Sequence, residues 1–166
     1  MIVVRSGIGY DVHRFSPGRP LMLGGIEIPH DFGLEGHSDA DVLLHAVTDA
    51  LLGAAALGDI GLHFPKSDPA YRNASSLTFL SAARVMLEIA GFRINNIDCT
   101  VIAETPSIMP YAREIRESIA EALGITTDRV NVKATTNERM GFIGRQEGIA
   151  ALAIGTVSQI EPHANP

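Results

Sequence analysis

Tryptophan is absent from the chain, cysteine occurs once, and aromatic residues make up only 5% of it. A single cysteine, Cys99, excludes an internal disulfide framework and suits a reducing compartment. It stands in NIDCTVIAE, an apolar strand pattern, and reads as a small core residue. Basic charge is scarce too: 13 lysines and arginines face 19 acids, for a net charge of −6. With no Lys/Arg run to track a phosphate backbone, nucleic acid is excluded as a partner. No apolar run is long enough to span a bilayer and no leader pattern precedes the first strand, so a cytoplasmic protein without membrane contact is expected. Gly141-Phe142-Ile143-Gly144 lacks the spacing and the Lys-Ser ending of a P-loop and reads as a tight turn. Nor is there a Ser-His-Asp grouping or a thiol placed for nucleophilic attack.

The 166 residues suit one domain, 1–160, able to bury about 70% of its unfolded surface. The tail 161–166, EPHANP, is expected to be disordered. Strand patterns rich in β-branched residues occur at 2–12, 21–28, 97–104, 129–135 and 148–158. Helical patterns fill 39–57, 74–90 and 110–123. Ser38 is the expected N-cap of the first, with Asp41 three residues on as a variant capping box; Gly91 stops the second, and Pro110 lies in the first turn of the third. Strands alternating with helices predict an α/β (α+β) domain, with helices on one face of a mixed sheet.

In GYDVHRF, Asp11 and His13 flank Val12 near the expected end of the first strand. Side chains at i and i+2 share one face of a strand, so a carboxylate and an imidazole project together. Either this is a solvated strand end or it is two thirds of a metal site. The first helix offers a third group: Asp41, His45 and Asp49 stand at spacing four on an otherwise apolar helix whose Val42, Leu43, Leu44, Val47, Leu51 and Leu52 would face the core. That stripe is either the wet face of the helix or a ligand row. If His45 meets Asp11 and His13, two imidazoles and one carboxylate form a catalytic zinc pattern with a fourth position open. Asp49 would then orient an imidazole or be a surface acid.

Other motifs suit phosphate and nucleotide chemistry. HSDAD, 37–41, opens the first helix, where free N–H groups and the positive dipole end favour an anion. GDIG, 58–61, reads as a helix C-terminal turn with Gly58 left-handed, its Asp59 either bonding local backbone or accepting from ribose hydroxyls. In KATTNERMGFIGR, 133–145, two hydroxyls and the carboxylate of Glu138 could hold phosphate oxygens and a divalent cation, though Thr-Thr after a strand is also ordinary strand. AETPSIMP, 103–110, is a strand-to-helix loop.

Taken in order, GYDVHRF, HSDADVLLHAVTDALLGAAALGDIGLHFP and NVKATTNERMGFIGRQEGIA closely resemble the 2-C-methyl-D-erythritol 2,4-cyclodiphosphate synthases, from about residue 6 to 154. The resemblance implies a ferredoxin-like fold assembled as a homotrimer, with active sites between subunits and a central cavity that admits an isoprenoid diphosphate. It implies conversion of 4-diphosphocytidyl-2-C-methyl-D-erythritol 2-phosphate to the 2,4-cyclodiphosphate with release of CMP, in non-mevalonate isoprenoid biosynthesis. Asp11, His13 and His45 become zinc ligands, and Glu138 holds a second cation, magnesium or manganese. His37 and Thr136 become the transition-state stabilisers. The implied substrate contacts are Asp11, Val12, His13, His37 and Ser38; Asp59, Ile60 and Gly61; Phe64, Pro65, Lys66, Ser67 and Asp68; Ala103, Glu104, Thr105, Pro106, Ser107, Ile108 and Met109, whose backbone lines a cytosine pocket; and Thr135, Thr136, Asn137, Glu138, Phe142 and Arg145. The chain departs from the family's common AQxPK at Glu104 and Ser107, losing a lysine near a phosphate, and from FPDTDP at Lys66. These departures predict altered affinity rather than a different reaction. A zinc phosphohydrolase and a metal-stabilised binding protein without catalysis are the rival readings.

Overall fold

The computed structural model describes residues 2–160; the expected disordered tail 161–166 lies outside them. Five strands form the main sheet: β1 (Ile2–Pro17), β4 (Phe32–Leu34), β5 (Phe92–Ile102), β6 (Val130–Thr135) and β7 (Gly148–Ile160). Their order is β4-β1-β7-β5-β6. Only β5 and β6 run parallel; β1 with β4, β1 with β7, and β5 with β7 are antiparallel. The helices α1 (Val42–Ala54), α3 (Ser76–Ile89) and α4 (Ala112–Leu123) cover one face, with the short α2 (Ile60–His63) and α5 (Gly141–Gly144) at its margins. No described helix is long and apolar enough to cross a membrane. The α+β layering matches expectation, but the connectivity is not ferredoxin-like. β5, α4 and β6 form a parallel crossover and β6 is followed by β7 with only the one-turn α5 between them, giving β-α-β-α-β-β over the principal elements where a ferredoxin-like chain runs β-α-β-β-α-β.

Several boundaries differ from the sequence reading. β1 continues five residues past its expected end, so Asp11 and His13 lie within a paired strand. The expected strand 21–28 is a hairpin, β2 (Leu21–Leu23) and β3 (Ile26–Ile28), turned by Gly24 and Gly25 at φ +63° and +83°. The two positive φ values fit a primed hairpin turn, and a Cβ at Gly24 would stand 2.2 Å from Ile115 Cγ2. α1 is N-capped by Asp41, not Ser38. The fully buried Asp41 carboxylate accepts from Leu44 N at 3.0 Å, and also from Gly24 N at 3.0 Å and Gly25 N at 2.7 Å, fastening the hairpin to the helix. Burial outweighs these hydrogen bonds and pushes its carboxyl above the usual range. α3 and α4 stop as expected, at the left-handed Gly91 and Gly124.

α1 is buried nearly all round because it lies directly on β1 and β7. Two glycines make this approach feasible. A Cβ at Gly7 would fall 2.1 Å from Ala50 O, and one at Gly9 would fall 1.9 Å from Ala46 O. Among the described residues no helix covers the opposite face of the sheet. There Ile2, Val4, Ile8, Tyr10, Leu152 and Ile154 are 39–70% exposed, far more apolar surface in one place than scattered exposed residues explain.

Gly9→Ala should force α1 off the sheet and lower the melting temperature of the metal-stripped protein by roughly 5–10 °C, an overpacking cost of a few kcal/mol at this size. Gly53, exposed on α1 with nothing within 4 Å of its added Cβ, is the control. Gly53→Ala should raise the melting temperature slightly, because alanine is the better helix former. Equal melting temperatures for the two variants would refute this account of the contact.

Candidate metal centre and its cavity

The close contact of α1 with β1 places His45 over Asp11 and His13. Asp11 Oδ2 lies 2.9 Å from His13 Nε2 and 2.9 Å from His45 Nδ1, and the two ring nitrogens are 3.3 Å apart. Among the described residues this is the one cluster of three such groups close enough to hold a metal. The donors fit zinc. A tetrahedral ion with bonds of about 2.0–2.1 Å sets its ligand atoms about 3.3 Å apart. The two nitrogens already have that spacing, and the carboxylate needs to open by only a few tenths of an ångström. His13 is oriented by the Glu35 carbonyl, 2.5 Å from its Nδ1, which leaves Nε2 for the cluster.

Without a cation the three groups hold each other electrostatically. Burial alone would raise Asp11, but hydrogen bonds from His13 and His45 and their charge hold its carboxyl well below the usual carboxylate range. For His13, burial favours the neutral ring; the hydrogen bond and charge of Asp11, with the Glu35 carbonyl, outweigh it and raise the pKa. Lys66 opposes that rise, placing a second positive charge near the imidazole.

The triad opens into a cavity of about 140 Å³ lined also by His37, Ser38, Asp49, Ile60, Gly61, Phe64, Lys66, Tyr71 and Phe79. Its apolar wall is an aromatic cluster: Phe64 stacks on Phe79 at 4.7 Å between centroids, and Tyr71 meets both edge-on at 5.6 Å. The Asp41-His45-Asp49 row resolves into three roles. Asp41 caps the helix, His45 joins the triad, and Asp49 Oδ1 accepts from Ile60 N at 2.7 Å, so it orients no imidazole. Burial raises the Asp49 carboxyl. Because Asp41 fills the first turn of α1, that helix end offers no anion site, contrary to expectation. Ser38 is buried, accepts from Ala40 N at 3.2 Å and lies 3.3 Å from His45 Nε2. GDIG is not a C-terminal turn either. Asp59 N-caps α2 and accepts from Leu62 N at 2.8 Å, while Gly58 does take φ +88°. In the segment that follows, Pro65 and Ser67 are exposed, and Asp68 accepts from Ala70 N at 2.9 Å.

The remaining site candidates gather elsewhere. Ala103, Glu104, Pro106, Ser107, Ile108 and Met109 face Thr135 and Thr136 across a groove of about 250 Å³. Thr105 lines a different, larger hollow beside Arg14 and Glu147. The registers Val12↔Ala150, Ile102↔Ala150 and Ile102↔Thr135 put Thr135 three strand spacings from Val12, roughly 14 Å. Within one chain the two sets of residues therefore do not meet. Glu104 has a local role: its Oε1 accepts from Asn137 N at 2.9 Å and Arg139 N at 3.1 Å, tying the loop to the turn where Glu138 and Arg139 adopt φ +50° and +62°. Asn137 Nδ2 donates to Met140 O at 2.7 Å, and Thr136 Oγ1 accepts from Glu138 N at 3.3 Å. Glu138 is exposed, as is Phe142, and Arg145 pairs with Glu147 at 2.7 Å. Val12 projects from the face of β1 opposite Asp11 and His13 and is 39% exposed. Sequence reasoning missed Ser76 and the Glu35 carbonyl, which lie outside its motifs, and Asp39, which it passed over inside HSDAD; all three support the triad.

Residues 4–158 match the model of the YgbB family. A 2-C-methyl-D-erythritol 2,4-cyclodiphosphate synthase of Symbiobacterium thermophilum is 59% identical over 152 residues, spanning 92% of this chain and 97% of that one. Among solved structures, the bifunctional IspDF of Campylobacter jejuni superimposes with a TM-score of 0.93 at 42% identity, over 97% of this chain and 44% of that longer one. A 2C-methyl-D-erythritol-2,4-cyclodiphosphate synthase in a CDP-bound form gives a TM-score of 0.84 at 35% identity, over 92% and 99% of the two chains. The chain thus belongs to the YgbB family, the 2-C-methyl-D-erythritol 2,4-cyclodiphosphate synthases, and with them to the lyases of isoprenoid biosynthesis.

Proposed function

We propose that the chain cyclises 4-diphosphocytidyl-2-C-methyl-D-erythritol 2-phosphate, with zinc held by Asp11, His13 and His45. The convergence of those three donors at the mouth of a partly aromatic cavity is the observation that carries this reading. The substrate's 2-phosphate attacks its own β-phosphorus, the bond from the β-phosphorus to the bridging oxygen breaks, and CMP leaves with that oxygen. No protein nucleophile is required. Zinc bound there supplies Lewis-acid charge for a phosphate oxygen. The chain's own work is to hold the two substrate ends together, and orientation of this kind contributes about 7–11 kcal/mol to an intramolecular step.

His37 and Lys66 line the cavity and present donors to the reacting phosphates. Glu138 offers one exposed carboxylate. A magnesium or manganese ion takes few protein ligands and completes its shell with water and phosphate oxygens, so one carboxylate suits it when the diphosphate is present. Thr135 and Thr136 then hold the diphosphate, with Thr136 stabilising the transition state, and the backbone of 103–109 receives the cytosine.

In this reading the two groups come from different chains, which their separation of roughly 14 Å within one chain, across three strand spacings, supports. A homotrimer closed through the open apolar face of β1 and β7 supplies the second half-site and covers Ile8, Tyr10, Leu152 and Ile154. Its threefold lumen, partly apolar, is where an isoprenoid diphosphate would sit.

Incubation with the CDP-linked substrate in ¹⁸O-labelled water should release unlabelled CMP and an unlabelled cyclic diphosphate, since every product oxygen comes from substrate. A zinc phosphohydrolase would place label on an open-chain phosphate, and a non-catalytic binding protein would release no CMP. For the assembly, an Asp11→Asn variant mixed with a Thr136→Ala variant should recover part of the lost turnover once subunits exchange, because some interfaces then carry two intact halves. Exchange verified by mass spectrometry without any recovery would mean that each chain works alone.

A further inference from the structure

His45 turns one ring nitrogen to the triad and the other to Ser76, a residue outside every motif named above, and through it to Asp39 of HSDAD. Nδ1 faces Asp11 Oδ2 at 2.9 Å, and Nε2 lies 2.9 Å from Ser76 Oγ. Ser76 is fully buried at the start of α3. Its hydroxyl donates to Asp39 Oδ1, and its backbone N–H donates to Asp39 Oδ2 at 2.9 Å. Asp39 is itself fixed by Asp41 N, which donates to its Oδ1 at 3.2 Å.

Proton counting fixes the direction of this chain. A carboxylate only accepts, so the single hydroxyl hydrogen of Ser76 is committed to Asp39. The serine oxygen can then only accept from His45, and the ring must present Nε2–H toward it. That leaves Nδ1, which without a cation donates to Asp11, as the nitrogen that gives up its proton and offers its lone pair to a bound ion. We propose that Asp39 and Ser76 are positioning residues for the metal site: they commit the Nε2 proton, hold the ring plane, and make His45 a stronger Nδ1 ligand. This rests on the zinc reading of the same cluster. It differs from a structural role, in which Asp39 and Ser76 only join the 37–41 loop to the start of α3. That junction has backbone support of its own, from Asp39 N to Ala74 O at 3.0 Å and Asn73 N to His37 O at 2.8 Å.

The test compares zinc affinity, by competition with a chromophoric chelator, for metal-stripped wild type, His45→Ala, Ser76→Ala and Asp39→Asn, with thermal unfolding of each stripped protein alongside. Ser76→Ala should weaken zinc binding about 10–100-fold, the usual effect of losing an outer-sphere partner. Asp39→Asn keeps an acceptor for the Ser76 backbone but frees the hydroxyl, and should weaken binding less. In the zinc-loaded wild type the His45 Nε2 proton should give a downfield NMR signal protected from solvent exchange, and Ser76→Ala should lose that protection. A purely structural role would lower the melting temperatures and leave both zinc affinities unchanged. If His45→Ala loses tight zinc binding while Ser76→Ala and Asp39→Asn keep it, this inference is overturned and the zinc reading stands. Should His45→Ala keep full affinity, the zinc reading itself fails and the inference with it.

Discussion

The near-contact of α1 with β1 sets the positions of nearly everything else. Backbone meets backbone at Gly7 and Gly9, and the helix presents Ala46, Ala50 and Ala54 to them. Small residues on both sides remove the layer of side chains that normally separates helix from sheet. The axis of α1 is therefore fixed by hard-sphere contact rather than by an adaptable apolar cushion. His45 stands one residue before Ala46, so its ring hangs over the strand at the level of Asp11 and His13. Ligands drawn from a helix and a strand need such rigidity, because a loose shell leaves a metal site an ångström too wide.

Around this contact the acidic residues act as fasteners, each by accepting backbone N–H groups. Asp41 joins the β2–β3 turn to α1, Asp49 anchors the first turn of α2, Asp39 anchors the start of α3, and Glu104 anchors the 137–139 turn. A buried carboxylate is costly unless its oxygens are satisfied, and here donors are supplied from several elements at once. Four acids that look like a wet helix face or a variant loop residue in one dimension are in three dimensions the junctions between elements. The triad's supporting acid, Asp39, is one of them.

The layering of the fold, the ends of α3 and α4, and the pairing of Asp11 with His13 were legible in the sequence because each is a local rule: strand period two, helix period 3.6, glycine beyond the last turn. The separation of 21–28 into a hairpin was signalled by Gly24-Gly25 but hidden by the apolar run on either side. The N-cap of α1 was misplaced at Ser38 because a capping box is read by residue type, while Asp41 is chosen by a hairpin that reaches it from 16 residues away. Ser76 and the Glu35 carbonyl were not legible at all. Their importance arises from contacts 31 and 22 residues away in sequence, and nothing in ASSLT or GLEGH announces them. The cyclase reading came from long ordered motifs rather than from any spacing, since two histidines and an aspartate suit several chemistries.

The pairing of β1 with β7 runs without interruption from Ile2↔Ile160 to Arg14↔Gly148. Because strand side chains alternate, a slip of one residue would turn Asp11 and His13 outward and swing Val12 and Tyr10 beneath α1. The glycines would move with them, and Ile8 would be driven into Ala46 and Ala50. A misaligned chain thus loses its ligands and its helix seat together. An ion held by this triad would therefore report correct strand alignment as well as serve any chemistry.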